Sequence, residues 1–282
     1  MRFLIVDGYP ADARERHHAG FGLTPGEAYA AVVKGIAPAA ACDIALPADA
    51  DAQLPSGAGL SSYDAVILTG SPLHVYHDEA PVRRQIELMR AVYDSGVPSF
   101  GSCWGLQVAA VAAGGTVTPN PLGREVGFAR RITPSEAGRG HALLAGRPGA
   151  FDAPCVHLDV VASLPANAIV LASNGMAGVQ AAEIRHGRGV FWGVQYHPEF
   201  SLTELAAIMA RMAEPLADEG FFRDPAEVAG YVGDLRTLDA DRSRRDLAWR
   251  HGLDEQVLEE ALRTLEIRNF VARCLGGDTM RH

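Results

Sequence analysis

Val97-Pro98-Ser99-Phe100-Gly101-Ser102-Cys103-Trp104-Gly105-Leu106-Gln107 decides how this chain folds. It reads as a short buried strand that stops at a Gly-x-Cys-x-Gly turn and restarts as an apolar helix over 106–113. That is the pattern of a nucleophile elbow with cysteine in the place of serine. Two glycines let a strand double back into a helix and leave the middle side chain strained and exposed. Cys103 would then sit at a helix N-terminus, where free backbone N–H groups and the macrodipole favour thiolate over thiol. The competing reading is an ordinary strand-to-helix turn holding a small buried cysteine.

A second stretch, Gly189-Val190-Phe191-Trp192-Gly193-Val194-Gln195-Tyr196-His197-Pro198-Glu199, is β-rich and ends in His-Pro-Glu. On an extended chain residues two apart share a face, so His197 and Glu199 project together. Pro198 cannot donate to a sheet ladder, which puts the pair at a strand end or edge. A base and its orienting carboxylate are thus delivered as one unit, the partner that a nucleophilic thiol needs.

Together these two stretches resemble the class I (triad) glutamine amidotransferase family, nearest to the glutaminase half of GMP synthetase. The resemblance spans roughly residues 1–212. It implies a flavodoxin-like fold, and it implies that Cys103, His197 and Glu199 form the catalytic triad. It further implies that the loop at Gly70-Ser71-Pro72 supplies one half of an oxyanion hole and the Trp104 amide the other. One such donor is typically worth roughly 3 kcal/mol of barrier. Read from the residues alone, Gly70 lets backbone approach a ligand and leaves the Gly70 and Ser71 amides free, but a plain strand-to-loop stop gives the same pattern.

The resemblance also assigns substrate contacts. Gln107, one helical turn past the cysteine, matches a position that hydrogen-bonds substrate; a solvated helix glutamine is its other reading. Gly123-Arg124-Glu125-Val126-Gly127 resembles the Gly-x-x-Glu-x-Gly segment beside the glutamine pocket, which nominates Glu125. Val156-His157-Leu158-Asp159 resembles the Ser-His-Gly-Asp stretch whose backbone touches bound glutamine, which nominates His157. Here the chain departs from the pattern, with Val156 for the hydroxyl residue and Leu158 for glycine.

The 282 residues suffice for one large α/β domain and an appendage. With 48% apolar and 21% charged residues, a disordered chain is excluded. The net charge of −9 argues against a general binder of nucleic acid or anionic membrane. The apolar opening Met1-Arg2-Phe3-Leu4-Ile5-Val6-Asp7 is too short for a signal peptide, and no run approaches the length of a membrane span. Cys42, Cys103, Cys155 and Cys274 are too scattered for a disulfide framework or a CxxC metal site. A cytoplasmic location is the expectation, with no cofactor and no metal. His74, His77, Asp78 and Glu79 match no standard ligand spacing and, like His17-His18, read as surface.

Short apolar runs at 3–7, 42–46 and 63–68 read as strands, with helices over 27–36 and 81–92 between and after them. The excursion over 8–26, broken by Gly20, Gly22, Pro25 and Gly26, reads as a long irregular loop, either shaping the site or a surface insertion. Residues 54–62 read as a Gly/Ser/Pro linker. The alternation predicts a doubly wound, mainly parallel sheet flanked by helices, with ligands at the carboxyl ends of its strands. After Gly114-Gly115 the pattern becomes strand-rich, and a helix over 201–212 with Ser201 as N-cap closes the domain.

Residues 213–282 form a helical C-terminal extension, with Asp254 capping a helix that runs to about residue 274. Residues 241–282 carry eight basic and eight acidic side chains, so docking on the core or on a partner is favoured over DNA binding. The expected function is a glutamine amidotransferase or glutaminase working through a Cys103 thioester and passing ammonia to a separate synthetase. The chain carries no P-loop of its own. The alternatives are a stand-alone γ-glutamyl hydrolase or transpeptidase, and an inactive binding protein that keeps the fold. The substrate is glutamine or a γ-glutamyl compound, and the oligomeric state is open.

Overall fold

The computed structural model describes residues 1–57 and 59–276. Its strands are β1 (Arg2–Val6), β2 (Ala41–Ala45), β3 (Ala65–Leu68), β4 (Ser99–Ser102), β5 (Thr116–Pro119), β6 (Glu125–Pro134), β7 (Phe151–His157), β8 (Asp159–Ser163), β9 (Ala168–Ser173), β10 (Ala181–His186) and β11 (Gly189–Val194). Its α-helices are α1 (Ala11–Phe21), α2 (Pro25–Ile36), α3 (Ala80–Ser95), α4 (Trp104–Ala112), α5 (Glu136–Arg139), α6 (Leu202–Arg211), α7 (Ala213–Asp218), α8 (Pro225–Ala240), α9 (Arg245–His251), α10 (Glu255–Leu258), α11 (Glu260–Arg263) and α12 (Leu265–Leu275).

Nine strands form one sheet in the order β2-β1-β3-β4-β11-β10-β9-β6-β7. The first five run parallel, which is the expected doubly wound layer. From β10 onward the pairing is antiparallel, so the whole sheet is mixed. β5 and β8 make a separate two-stranded sheet.

β3 is apolar and buried throughout and β1 is so after Arg2, because both of their faces are covered. Alternate residues of one strand feed two cores: Phe3 and Ile5 join one, Leu4 and Val6 the other. Tyr29 and Val33 of α2 cover the first face, and Val82, Met89 and Val92 of α3 with Leu106 and Val108 of α4 cover the second. Ile267, Phe270 and Val271 of α12 share the first face with α2, so the C-terminal helical region packs into the core of the sheet. A third core joins α6 to α8.

Three expectations are corrected. The excursion over 8–26 is mostly helix: α1 starts after Pro10 and ends at Gly22, which adopts the left-handed conformation at φ 96°. Only Ala13 and His17 of α1 are buried, so it presents no apolar stripe to read. The single helix expected from Asp254 breaks at Glu259, whose backbone is extended, and again at Thr264. Asp254 does cap the first piece, its Oδ1 accepting from the Gln256 amide at 3.0 Å. Finally, His17 and His74 are not plain surface, as described below. Position 58 of the expected linker and residues 277–282 of the extension lie outside the described residues.

The register puts the functional loops side by side. Leu68 pairs with Gly101, and Ser102 with Val194, so the chain leaves β3, β4 and β11 at one edge of the sheet. Gly70, Cys103 and His197 follow those three strand ends.

Candidate active site

Cys103 sits between β4 and α4 with φ 51° and ψ −101°, a conformation that costs a non-glycine residue of order 1–3 kcal/mol. The flanking glycines make the bend sterically feasible. A Cβ on Gly101 would lie 2.9 Å from Gly105 Cα, and one on Gly105 would lie 2.9 Å from both Leu68 Cβ and its carbonyl oxygen. The Cys103 amide donates to Val194 O at 2.7 Å, tying the elbow to the end of β11. Its Sγ lies 3.8 Å from Val156 O, and the residue is 6% exposed.

His197 is held from several directions. Its amide donates to Pro154 O at 2.8 Å, and its ring stacks on Phe200 with centroids 3.9 Å apart and planes 4° apart. His197 Nδ1 lies 2.7 Å from Glu199 Oε1, and His197 and Cys103 line the same cavity. Burial alone would lower the His197 pKa. The Glu199 charge and the hydrogen bonds with Cys103 and Glu199 outweigh it and raise the value to about 10. Glu199 Oε2 in turn accepts from Ser102 Oγ at 2.8 Å, and Ser102 Oγ lies 3.0 Å from Tyr29 Oη. Ser102 and Tyr29 carry no motif of their own, although Ser102 adjoins the cysteine.

Gly70 lies against His197: a Cβ there would come within 2.7 Å of His197 Cε1. Among the described residues no backbone carbonyl accepts from the Gly70 or Ser71 amide. Ser71 Oγ donates to Gly8 O at 2.8 Å, which fixes the loop. Trp104 opens α4, where the first amides have no helical acceptor. Its indole is fully buried and donates to Gln85 Oε1 at 2.7 Å.

A cavity of about 340 Å³ lies beside these groups; Gly70, Trp104 and Glu199 are not among its lining residues. Cys103, His197, Ser71, Gln107 and His157 all line it. Gln107 is buried rather than solvated, and its amide nitrogen donates to Asp159 O at 3.2 Å. Glu125 lies one layer back: its carboxylate is 2.8 Å from His157 Nε2 and accepts from Gln180 Nε2 at 2.8 Å and Asn174 Nδ2 at 2.6 Å. It reaches the cavity through His157. Val156 and Leu158, the departures from the motif, line the wall beside it.

Several lining residues escaped motif reading because they sit on α1 and α6, in the turns beside those helices, or in the loop after β3. Tyr9, Ala13, Ile208 and Met212 form one side. His74 lines another, its Nδ1 2.6 Å from Asp159 Oδ2, while Tyr76 Oη donates to Asp159 Oδ1 at 3.0 Å. Behind α1, the fully buried His17 has Nε2 3.2 Å from Glu204 Oε1 without hydrogen-bond alignment, and Nδ1 3.3 Å from Arg211 Nη2. A thiol at a helix N-terminus beside a carboxylate-held imidazole can attack a carbonyl and protonate a leaving group. Among the described residues no cluster of three His, Cys, Asp or Glu side chains is arranged to hold a metal, and no helix is long and apolar enough to cross a membrane.

Comparison with known proteins places the chain in a family. The family model "Glutamine amidotransferase class-I" matches residues 40–213. A γ-glutamyl-L-1-hydroxyisopropylamide hydrolase from a Pseudomonas species is 35% identical over 278 residues, covering 96% of this chain and 92% of that protein. A glutamine-hydrolysing GMP synthase from Leifsonia xyli is 36% identical over 157 residues, which is 56% of this chain but only 28% of the synthase. The crystal structure of a glutamine amidotransferase from Thermotoga maritima superposes with a TM-score of 0.66 at 17% identity, over 98% of each chain, and so shares the fold. The chain belongs to the class I glutamine amidotransferase family and is a hydrolytic enzyme of it.

Proposed function

We propose that this enzyme hydrolyses γ-glutamyl amides through a thioester on Cys103. The observation that carries the reading is that Cys103 and His197 line one cavity while His197 is held through Glu199 and Ser102 to Tyr29. The Cys103 thiolate attacks the γ-carbonyl carbon, and the amides of Gly70, Ser71 and Trp104 receive the developing oxyanion. The C–N bond breaks as His197 gives its proton to the departing nitrogen. Water, deprotonated by His197, then attacks the thioester and releases glutamate and the free thiol. Glu199 keeps the imidazole oriented, and Gln107 and His157 hold the glutamyl part, with Glu125 fixing His157 from behind.

Between the two catalytic readings, action without a synthetase is favoured. The hydrolase relative matches along nearly its whole length, whereas the synthase matches over little more than a quarter of its own. Ammonia delivery to a separate synthetase remains the second reading, supported by the GMP synthase likeness itself.

Glutamate release from glutamine and from γ-glutamyl alkylamides, by the chain alone and by Cys103→Ala, tests the proposal. Steady release by the chain alone, abolished in the variant, is expected. Release only in the presence of a second protein would point to ammonia delivery, and no release from any γ-glutamyl compound would leave a binding protein.

A further inference from the structure

We infer that the cavity holds, on the His197 side of Cys103, an anion subsite formed by Arg211 and Arg16 that takes the carboxylate of a departing amino acid. The substrates it favours are γ-glutamyl dipeptides. This rests on the γ-glutamyl reading above and names the class of leaving group. The bonds that change are the same: the C–N bond at the γ-carbonyl breaks, and the amino acid nitrogen leaves with the proton from His197. Because that nitrogen takes its proton beside His197, its substituent extends along the His197 side of the cavity. There the imidazole stacks on Phe200, and past Phe200 the chain enters α6, which packs against α1. Both arginines line the cavity from these helices, Arg211 at the end of α6 and Arg16 within α1, with Tyr9 also on the wall. Tyr9 lies within reach of the charges of both Arg211 and Cys103, which keeps that guanidinium in the neighbourhood of the nucleophile.

The three arginines that line the cavity are not equivalent. Arg124 is neutralised by a bidentate pair with Glu219, at 2.8 and 2.9 Å. Arg16 pairs with Asp12 at 2.8 Å, but the two side chains are 63% and 70% exposed, and a pair so open to water holds its members weakly. Arg211 has no salt-bridge partner among the described residues. The Glu204 carboxylate is in its field, but that group lies 3.2 Å from His17. Arg211 Nη2 donates to His17 Nδ1 at 3.3 Å, and Nη1 fills the space that a side chain at Gly20 would take, 2.7 Å from such a Cβ. The guanidinium is thus seated against α1 with its charge uncompensated. Burial lowers the Arg211 pKa and the Arg16 charge lowers it further, so two like charges face one cavity. A carboxylate between them relieves the repulsion and matches the guanidinium fork. Departing ammonia cannot use these charges. An amino acid carries its carboxylate one carbon from the departing nitrogen and can. The glutamyl carboxylate leaves the reacting carbon in the opposite direction, toward Gln107 and His157 in the reading above.

The test compares kcat/KM for γ-glutamylalanine, its neutral isostere γ-glutamylalaninamide and glutamine in the wild type, Arg211→Met and Arg16→Met. The wild type is expected to favour γ-glutamylalanine over the alaninamide by about tenfold or more, the worth of one charge-assisted hydrogen bond. Arg211→Met should remove most of that preference. Arg16→Met, at an exposed position of α1, should lower it in the same direction and decides alone if Arg211→Met does not fold. Equal turnover of γ-glutamylalanine and its alaninamide by the wild type overturns the subsite alone. So does a preference that is unchanged in every folded variant. If turnover of all three substrates then falls together, the arginines hold the glutamyl carboxylate and not the leaving group. Absence of turnover with every γ-glutamyl compound overturns the underlying reading as well.

Discussion

Gly70→Ala is the sharpest probe of the packing around His197. The new Cβ would lie 2.7 Å from His197 Cε1, against an ordinary carbon–carbon separation of about 3.5–4.0 Å. The imidazole must therefore retreat by about 1 Å, or the loop after β3 must move by as much. The ring cannot retreat freely, because Phe200 is stacked on it with centroids 3.9 Å apart and Glu199 grips Nδ1 at 2.7 Å. Misplacing a catalytic group by this amount costs about 100-fold in rate, and the overpacking costs about 1–3 kcal/mol of stability. Glutamate release from a γ-glutamyl amide gives kcat/KM, and urea denaturation gives the stability change. A variant within threefold of wild-type kcat/KM would refute the claim that Gly70 is there to let His197 approach.

Ser102→Ala removes the hydroxyl that donates to the buried Glu199 carboxylate, a charge-assisted bond worth about 1.5–3 kcal/mol. If about 1.5 kcal/mol of that is expressed in the transition state, kcat falls roughly tenfold, and an unchanged kcat counts against the relay. Glu199→Gln tests the charge on His197. Because the folded His197 pKa is raised to about 10, its contribution to stability is complete below about pH 6.5 and is lost as pH rises toward 10. The stability gap between wild type and Glu199→Gln should therefore narrow across that window in urea titrations; a gap constant from pH 6 to 10 contradicts it. Glu266→Ala breaks a fully buried pair with Arg147, 2.7 Å apart and shared with Tyr196 Oη, and should cost about 3–5 kcal/mol by the same method. A loss below about 1 kcal/mol would mean that α12 is not anchored through it. Glu183 is held at about 2, against its burial, by hydrogen bonds from His141, Trp192 and Arg185. Its stabilisation is present above about pH 4.5 and lost as pH falls toward 2, so Glu183→Gln should flatten acid unfolding in that range.

What was legible in the sequence was what is local. Gly101-Ser102-Cys103-Trp104-Gly105 specifies a bend by itself, since both glycines are required sterically within the same turn. His197 and Glu199 were legible because a two-residue spacing on extended chain needs no tertiary information. The parallel half of the sheet was legible from continuous apolar runs at its strands. What lay hidden depends on distant segments. Tyr29 reaches Ser102 across 73 positions, and the cavity wall from α1 and α6 joins Ala13 to Ile208. Helix α1 itself was hidden because it buries only Ala13 and His17. The docking of α12 was only half visible: a helix running to about residue 274 could be read, but its bond to Arg147, 119 positions away, could not.

The central claim is that Cys103 carries the acyl group. The most direct measurement is mass spectrometry of the peptide containing Cys103 after acid quench of wild type mixed for milliseconds with a γ-glutamyl amide in excess. The account predicts an adduct of one γ-glutamyl group on Cys103, removed by hydroxylamine and absent in Cys103→Ala. Turnover by wild type with no acylated Cys103 at any mixing time, or turnover retained in Cys103→Ala, would contradict it.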